Sequence, residues 1–135
     1  MHKITKSASF CYGHRLADHK GKCKNLHGHN GTAEVTLSSA TLDSTQMVAD
    51  FGDLGRALKQ WLDENFDHKV ILCSGDPLLK TLKEQGQQCF ETAVNPTAEI
   101  MAQLIFKEMK ALGFPVRKAR VWETATSYAT YSEDK

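Results

Sequence analysis

The sequence predicts an α+β fold in which two helices pack on one face of a four-stranded antiparallel sheet. Four segments alternate apolar and polar residues, as half-buried strands do, and two segments have apolar residues at helical spacing. Their order along the chain is strand, strand, helix, helix, strand, strand. Because a sheet that is apolar on one face must bury that face, this order predicts a two-layer domain with both helices on the same side.

The first two predicted strands flank a polar loop. The first covers residues 3–11, and the second begins near His27 and ends before Asp43. Residues 18–22 are polar and form the loop between them. In both strands apolar side chains occupy alternate positions: Ile4, Ala8, Phe10, Ala33, Val35 and Leu37.

The first predicted helix covers residues 51–65 and is capped by Asp50. Its apolar residues follow helical spacing: Phe51, Leu54, Leu58, Trp61 and Leu62. In the second, Asn95 is the predicted cap, Pro96 occupies the first helical position, and Gly113 ends the helix. Its predicted apolar face consists of Met101, Leu104, Ile105 and Leu112.

The segment 70–94 is less regular, and a short helix from Asp76-Pro77 to near Gly86 is the one element expected in it. The last two predicted strands cover residues 116–123 and 127–131. Helices on one face leave the other face and the edge strands of the sheet open, so we expect several copies to close their sheets into a barrel.

Composition indicates a soluble, cytoplasmic protein that forms one domain over residues 1–135. The chain is 41% hydrophobic with a formal charge of +1, so no overall field attracts nucleic acid or an anionic membrane. No apolar stretch resembles a signal peptide or a membrane span. The four cysteines are expected to be free thiols, because nothing marks the chain for export.

His27 and His29 lie on the same face of a predicted strand and could hold one metal ion, with Gly28 allowing a close approach to the backbone. His14 is the candidate for a third ligand. Three histidines leave the fourth position of a zinc ion open for water or substrate. Each histidine taken alone favours an ordinary surface or hydrogen-bonded role, whereas the His-x-His pair beside a strand favours metal binding.

A thiol and an acid/base pair accompany these histidines. Cys23 lies between two lysines, where positive charge favours the thiolate, although a buried inert thiol remains an alternative. Asp67 and His68 could form a carboxylate–imidazole pair for proton transfer, or simply a polar helix end.

Three further residues are candidates for binding substrate. Glu123 ends a predicted strand, where a carboxylate accepts paired hydrogen bonds from an amidine-like edge such as that of a guanine or pterin ring. It could instead be an ordinary exposed carboxylate. Thr97 and Glu99 lie in the first turn of the second helix, and a capping role accounts for them equally well.

Taken in order, six short motifs resemble the 6-pyruvoyltetrahydropterin and 6-carboxytetrahydropterin synthase superfamily. They run along nearly the whole chain: Phe10-x-x-x-His14, Cys23-x-x-x-His27-Gly28-His29, Asp50-Phe51-x-x-Leu54, Asp67-His68, Asn95-Pro96-Thr97-x-Glu99 and Glu123-Thr124. The resemblance implies the tunnelling fold, in which protomers form a β-barrel with active sites at subunit interfaces. It also implies a homohexamer built as a dimer of trimers.

The resemblance also implies a role for each candidate. His14, His27 and His29 are implied zinc ligands. Cys23 is the implied proton-transferring thiol, working with Asp67 and His68. Glu123 is implied to anchor the pterin ring, and Thr97 and Glu99 to shape its pocket.

The implied substrate is 7,8-dihydroneopterin triphosphate. Three residues separate Cys23 from His27, which resembles the 6-carboxytetrahydropterin synthases of the queuosine pathway rather than the pyruvoyl enzymes of animals. The expected products are 6-carboxy-5,6,7,8-tetrahydropterin, acetaldehyde and triphosphate. A 6-pyruvoyltetrahydropterin synthase and a pterin- or metal-binding module without turnover remain alternatives.

The sequence departs from compact members of the superfamily in its longer segment 71–94, which could reshape the pocket or a subunit contact. The triphosphate site is not assigned by the motifs. Four basic residues near the predicted metal site could supply it, or could be solvated loop charges: Arg15, Lys20, Lys22 and Lys24.

Overall fold

The computed structural model describes residues 1–133 and confirms the α+β class. Within them, the strands are β1 (His2–His14), β2 (His27–Ser39), β3 (Lys69–Cys73), β4 (Cys89–Thr92), β5 (Val116–Thr124) and β6 (Ser127–Ser132). The helices are α1 (Phe51–Asn65), α2 (Pro77–Glu84) and α3 (Ala98–Ala111), and Lys22–Lys24 forms one turn of 3-10 helix.

All six strands belong to one mixed sheet with the spatial order β4-β3-β1-β2-β5-β6. The predicted antiparallel pairing of β1, β2, β5 and β6 is confirmed. The prediction of a four-stranded sheet with two helices in the order ββααββ was wrong. Strands β3 and β4 extend the sheet in parallel beside β1, and the short helix α2 lies between them in the chain.

These two strands were missed because they lack an alternating pattern. Val70, Ile71 and Leu72 form a continuous apolar run in β3, and Ile71 and Leu72 are fully buried. Strands buried on both faces give such runs, which periodicity does not distinguish from irregular buried segments. In β4, the Phe90 ring packs edge-on against Phe66, with ring centroids 5.1 Å apart. The segment 71–94 therefore forms one edge of the sheet.

The predicted bounds and cap of helix α1 are confirmed. The helix covers Phe51–Asn65, and the Asp50 side chain accepts hydrogen bonds from the backbone at its start. Helix α3 differs from its prediction at both ends. Its cap is Thr97, whose hydroxyl accepts a hydrogen bond from the Ile100 amide, so Asn95 and Pro96 precede the helix. At the other end, Leu112 is the exposed C-cap and does not belong to the buried face.

Helices α1 and α3 contribute to a single hydrophobic core with one face of the sheet. Its members alternate along the strands and recur at helical spacing, and the central ones are fully buried: Val35, Leu37, Leu54, Leu58, Leu62, Phe66, Met101, Ile105, Met109 and Val121. None of the helices described between residues 1 and 133 is long and apolar enough to cross a membrane.

The β1–β2 pairing determines where the histidines lie. His14 ends β1 directly opposite His27 at the start of β2, and Tyr12 lies opposite His29. Opposed residues in an antiparallel pair project to the same face of the sheet, so the three imidazoles meet at one end of the core.

Candidate active site

The imidazoles of His14, His27 and His29 form a compact cluster. Their ring centroids are 4.6 to 5.2 Å apart, and one nitrogen from each ring lies within 4.8 Å of the other two. His14 is buried, whereas the other two rings are partly exposed. Nitrogens at this separation suit a single ion with metal–nitrogen distances of about 2.0–2.1 Å. The structure brings the three predicted histidines together, and their binding of a metal stays a prediction.

Backbone carbonyls orient two of the three rings. His14 Nδ1 lies 2.8 Å from the Pro96 carbonyl oxygen, and His27 Nδ1 lies 2.7 Å from that of Asn25. A ring N–H that donates to a carbonyl leaves Nε2 as the unprotonated nitrogen of the neutral imidazole. These contacts therefore present two Nε2 lone pairs to the centre of the cluster.

His14 Nε2 is buried and has no hydrogen-bond partner among the residues that the structure describes. An unsatisfied buried nitrogen is costly, and a metal ion would satisfy it. The pKa of His14 is also lowered, mainly by burial and further by the nearby His27 and His29, against the Pro96 hydrogen bond and the Glu123 charge, which raise it. The ring is therefore held in the neutral form that binds metal. By donor chemistry and geometry, the cluster fits a divalent metal such as zinc.

Glu123 extends to the same cluster from β5. Its Oε2 lies 3.4 Å from His14 Nε2 and 3.6 Å from His29 Nε2. The Tyr12 hydroxyl donates to this oxygen over 3.5 Å. Burial first, and then the Glu123 charge, raise the pKa of Tyr12, so the phenol remains a proton donor. The carboxylate thus lies against the histidine cluster and is itself partly exposed.

A cavity of about 340 Å³ lies beside this carboxylate. Glu99 and Glu123 both line it, together with Tyr128 from β6. Thr97 is not among the residues that line this cavity. Its hydroxyl instead caps α3. Glu99 and Glu123 are therefore brought together, whereas a direct contact of Thr97 with substrate remains a prediction.

Asp67 and His68 form the predicted pair between α1 and β3. Asp67 Oδ2 accepts a hydrogen bond from His68 Nδ1 over 2.8 Å, and Asp67 Oδ1 accepts one from the Cys11 amide over 2.9 Å. The amide hydrogen bond is the main cause of the lowered pKa of Asp67, and His68 adds to it. The carboxylate is therefore ionised and holds the imidazole in one tautomer.

Cys23 lies apart from this pair. It belongs to the 3-10 turn, where its carbonyl accepts a hydrogen bond from the Leu16 amide over 2.8 Å. Its thiol belongs to neither cluster of metal-ligating groups found within residues 1–133. The thiol beside Asp67 and His68 is that of Cys11, for which the sequence predicted nothing beyond a free thiol. No spacing signal relates Cys11 to His68, because 57 residues separate them.

The sequence made Arg15 a candidate for triphosphate binding, whereas in the structure it pairs with Asp76. Its guanidinium makes two hydrogen bonds to Asp76, one of 2.8 Å from Nε and a shorter one from Nη2. The Asp76 carboxylate is buried and also caps α2 through the Leu78 amide. Arg15 therefore ties the loop after β1 to the segment 71–94. Lys20, Lys22 and Lys24 are exposed on that loop.

Comparison with known proteins shows the family to which this chain belongs. The family model described as 6-pyruvoyl tetrahydropterin synthase matches residues 3–134. A 6-carboxy-5,6,7,8-tetrahydropterin synthase from Rickettsia bellii is 36% identical over 135 residues, covering 95% of this chain and 98% of that protein. The synthase of the same name from Haemophilus influenzae is 33% identical and covers 98% of this chain and 100% of that protein.

Solved structures give the same result. An uncharacterised protein from Wolinella succinogenes superposes with a TM-score of 0.83 at 26% identity, covering 98% of both chains. The 6-pyruvoyl tetrahydropterin synthase of Caenorhabditis elegans superposes with a TM-score of 0.72 at 26% identity, covering 98% of this chain and 95% of that one. With its histidine cluster, carboxylates and fold, the chain belongs to the 6-pyruvoyl tetrahydropterin synthase family and is an enzyme of the lyase class.

Proposed function

We propose that this protein converts 7,8-dihydroneopterin triphosphate to 6-carboxy-5,6,7,8-tetrahydropterin, with release of acetaldehyde and triphosphate, in queuosine biosynthesis. The observation that carries the proposal is the cluster of His14, His27 and His29 with Glu123 against it. Relatives at 33–36% identity that carry this synthase name support it, as does the three-residue spacing from Cys23 to His27.

The Nε2 atoms of His14 and His27, with a nitrogen of His29, are the proposed zinc ligands. Bound zinc supplies Lewis acidity toward hydroxyl oxygens of the substrate side chain. His14 and His27 are oriented for this by the carbonyls of Pro96 and Asn25, because an acceptor for the Nδ1 proton fixes the tautomer of each ring.

Glu123 is the proposed anchor of the pterin ring, through its aminopyrimidine edge. The carboxylate is 30% exposed and lines a cavity with Glu99, so it is accessible to a planar ring. Two parallel N–H donors on the ring edge match its two oxygens. We propose that Glu99 and Thr97 shape this pocket, Thr97 through the start of α3.

Cys23, Asp67 and His68 are the proposed proton carriers. Since the Cys23 thiol lies outside the Asp67–His68 cluster within one chain, we propose that the two parts meet across an interface between copies. The proposed assembly is a cytoplasmic homohexamer of single-domain protomers, a dimer of trimers whose sheets close into a barrel. The open outer edges of β4 and β6 are compatible with such pairing.

Incubation of the zinc-loaded protein with dihydroneopterin triphosphate, followed by mass analysis, tests this proposal. The expected products include acetaldehyde, because the second and third side-chain carbons leave together. Products that keep all three side-chain carbons would identify a pyruvoyltetrahydropterin synthase instead. Binding of the substrate without consumption would favour a pterin-binding module.

A further inference from the structure

Tyr12 is a buried tyrosine of β1 that lies inside the candidate active site, and the proposed reaction does not use it. Its side chain shares the core face of the strand with Phe10 and His14, because alternate residues of a strand point the same way. The Tyr12 ring stacks on Phe10 and meets His14 edge-on, with centroids 5.1 Å apart in both pairs. Contacts on both sides therefore fix the position of the ring.

A glycine on the neighbouring strand gives this ring room to cross β2. Gly31 lies opposite Phe10 in the β1–β2 pair. A Cβ on Gly31 would lie 3.1 Å from Tyr12 Cε1 and 3.2 Å from the Phe10 ring, so a side chain there would crowd both rings. Because β2 presents only backbone at this position, the Tyr12 ring extends over it toward β5, the next strand of the sheet.

On β5 the Tyr12 hydroxyl reaches the carboxylate of Glu123. It donates to Oε2 over 3.5 Å, and this is the one hydrogen bond that the Glu123 side chain makes within residues 1–133. His14 Nε2 lies 3.4 Å from the same oxygen, but with its proton on Nδ1 the ring has only a lone pair to offer there. The phenol is therefore the donor that can hold this carboxylate.

A carboxylate that binds a ring edge through two parallel hydrogen bonds must have both oxygens correctly oriented. Each oxygen of an ionised carboxylate has about two lone pairs, so Oε2 can accept from Tyr12 and still accept from a ligand. We propose that Tyr12 is a positioning residue for Glu123, whose carboxylate it holds in the orientation that binds the aminopyrimidine edge of the pterin. This inference rests on the proposed function, in which Glu123 anchors that ring.

The hydrogen bond acts by restricting the carboxylate before the ligand arrives. The Glu123 side chain is 30% exposed and lines the cavity beside Glu99, so its end would otherwise rotate in solvent. Fixing a mobile side chain on binding weakens affinity, and a side chain already fixed in the free protein avoids that loss. Removal of the Tyr12 hydroxyl should therefore weaken pterin binding although every group that contacts the pterin remains.

The variant Tyr12→Phe tests this, because it keeps the ring packed between Phe10 and His14 and removes only the hydroxyl. The probe is unsubstituted pterin, which has the aminopyrimidine edge but no side-chain hydroxyls that could reach the metal. Its fluorescence is titrated with full-length, zinc-loaded protein. We expect Kd to rise about three- to tenfold, as for the loss of one ordinary hydrogen bond, with zinc content unchanged.

Two controls separate positioning from packing. Urea unfolding of Tyr12→Phe in the wild-type and Glu123→Ala backgrounds forms a double-mutant cycle, and the stability lost with the hydroxyl should largely disappear when Glu123 is absent. Tyr131→Phe is the matched variant, because the Tyr131 hydroxyl donates to Glu133 over 2.8 Å outside the residues that line the Glu99–Glu123 cavity. Its Kd for pterin should stay within about twofold of wild type, less than a typical hydrogen bond is worth.

Pterin binding by Tyr12→Phe that is as tight as in wild type would overturn the positioning role. An unfolding cost that is the same with and without Glu123 would also overturn it, because the hydroxyl would then act apart from the carboxylate. Wild-type protein that binds no pterin would overturn this inference together with the Glu123 anchor. Protein that binds pterin but leaves dihydroneopterin triphosphate unconverted would overturn only the proposed reaction.

Discussion

His14 Nδ1 is hydrogen-bonded to the carbonyl oxygen of Pro96 at 2.8 Å, which connects the end of β1 to the residue just before the cap of α3. Because α3 begins at Ala98 and not at Pro96, this carbonyl lies outside the helix and is available to the ring. The start of the helix thereby positions a proposed metal ligand from another part of the chain.

The first prediction concerns this ligand. His14→Gln should abolish stoichiometric zinc binding, with an affinity loss larger than the roughly 10–100-fold typical when a hydrogen-bond partner of a ligand is changed. Metal content after dialysis, measured by mass spectrometry, checks it. His2→Gln, at the exposed start of β1, is the control and should retain its zinc. A His14→Gln protein with a full complement of zinc would contradict the assigned ligand set.

Glu123→Gln tests the proposed pterin anchor. The amide keeps the size of the side chain but loses the charge and one acceptor, so we expect KM for the pterin substrate to rise about 10–150-fold, as for a lost charge-assisted hydrogen bond of about 1.5–3 kcal/mol. Zinc content should persist. Glu34→Gln is a matched control on neighbouring β2, where the carboxylate accepts from Trp122 Nε1 over 2.9 Å. Equal KM changes in the two variants would argue against the assignment.

Asp76→Asn is expected to destabilise the fold in a pH-dependent way. The Arg15 guanidinium lowers the pKa of Asp76 below its ordinary 3.8, so this contribution is complete well above pH 4 and is lost as the pH falls toward the folded-state pKa. We expect a loss of about 1–3 kcal/mol in the free energy of unfolding at pH 6, shrinking toward pH 3. Urea unfolding at several pH values measures it.

The control for this prediction is Asp53→Asn, which removes an exposed ion pair with Arg56 in the first turn of α1. Exposed pairs contribute about 0–1 kcal/mol, so its effect should be small. Asparagine also preserves a cap at position 76, which separates loss of the ion pair from loss of the α2 cap. A pH-independent difference between wild type and Asp76→Asn would show that the ion pair is not the cause.

Gly13 and Gly28 lie opposite each other in the β1–β2 pair, and the space around them gives a prediction about adding a side chain. A Cβ at Gly28 would lie 3.1 Å from the Tyr12 carbonyl oxygen, whereas one at Gly13 would meet nothing closer than 3.6 Å. Gly28→Ala should therefore cost about 1–3 kcal/mol of stability through forced backbone shifts, and Gly13→Ala clearly less. Thermal unfolding of the two variants measures the difference. A larger loss for Gly13→Ala would contradict the close-approach argument.

Much of the fold could be predicted because local patterns and tertiary structure agree. Alternation along β1 and β2 and helical spacing in α1 identified these elements, and the His27–Gly28–His29 spacing predicted a shared face. Strands β3 and β4 could not be predicted in the same way, because a short parallel strand pairs with distant segments and shows no alternation.

The sequence by itself determined the residue types of the site and the side of each strand on which they lie. The tertiary structure decided which of them meet: Pro96 with His14, Glu123 with the histidines, and Cys11 with His68. Side-chain periodicity is a local property of the backbone, whereas these contacts depend on strand register and on where α3 and β3 begin. Only packing of the whole chain fixes the strand register and the residues at which α3 and β3 begin.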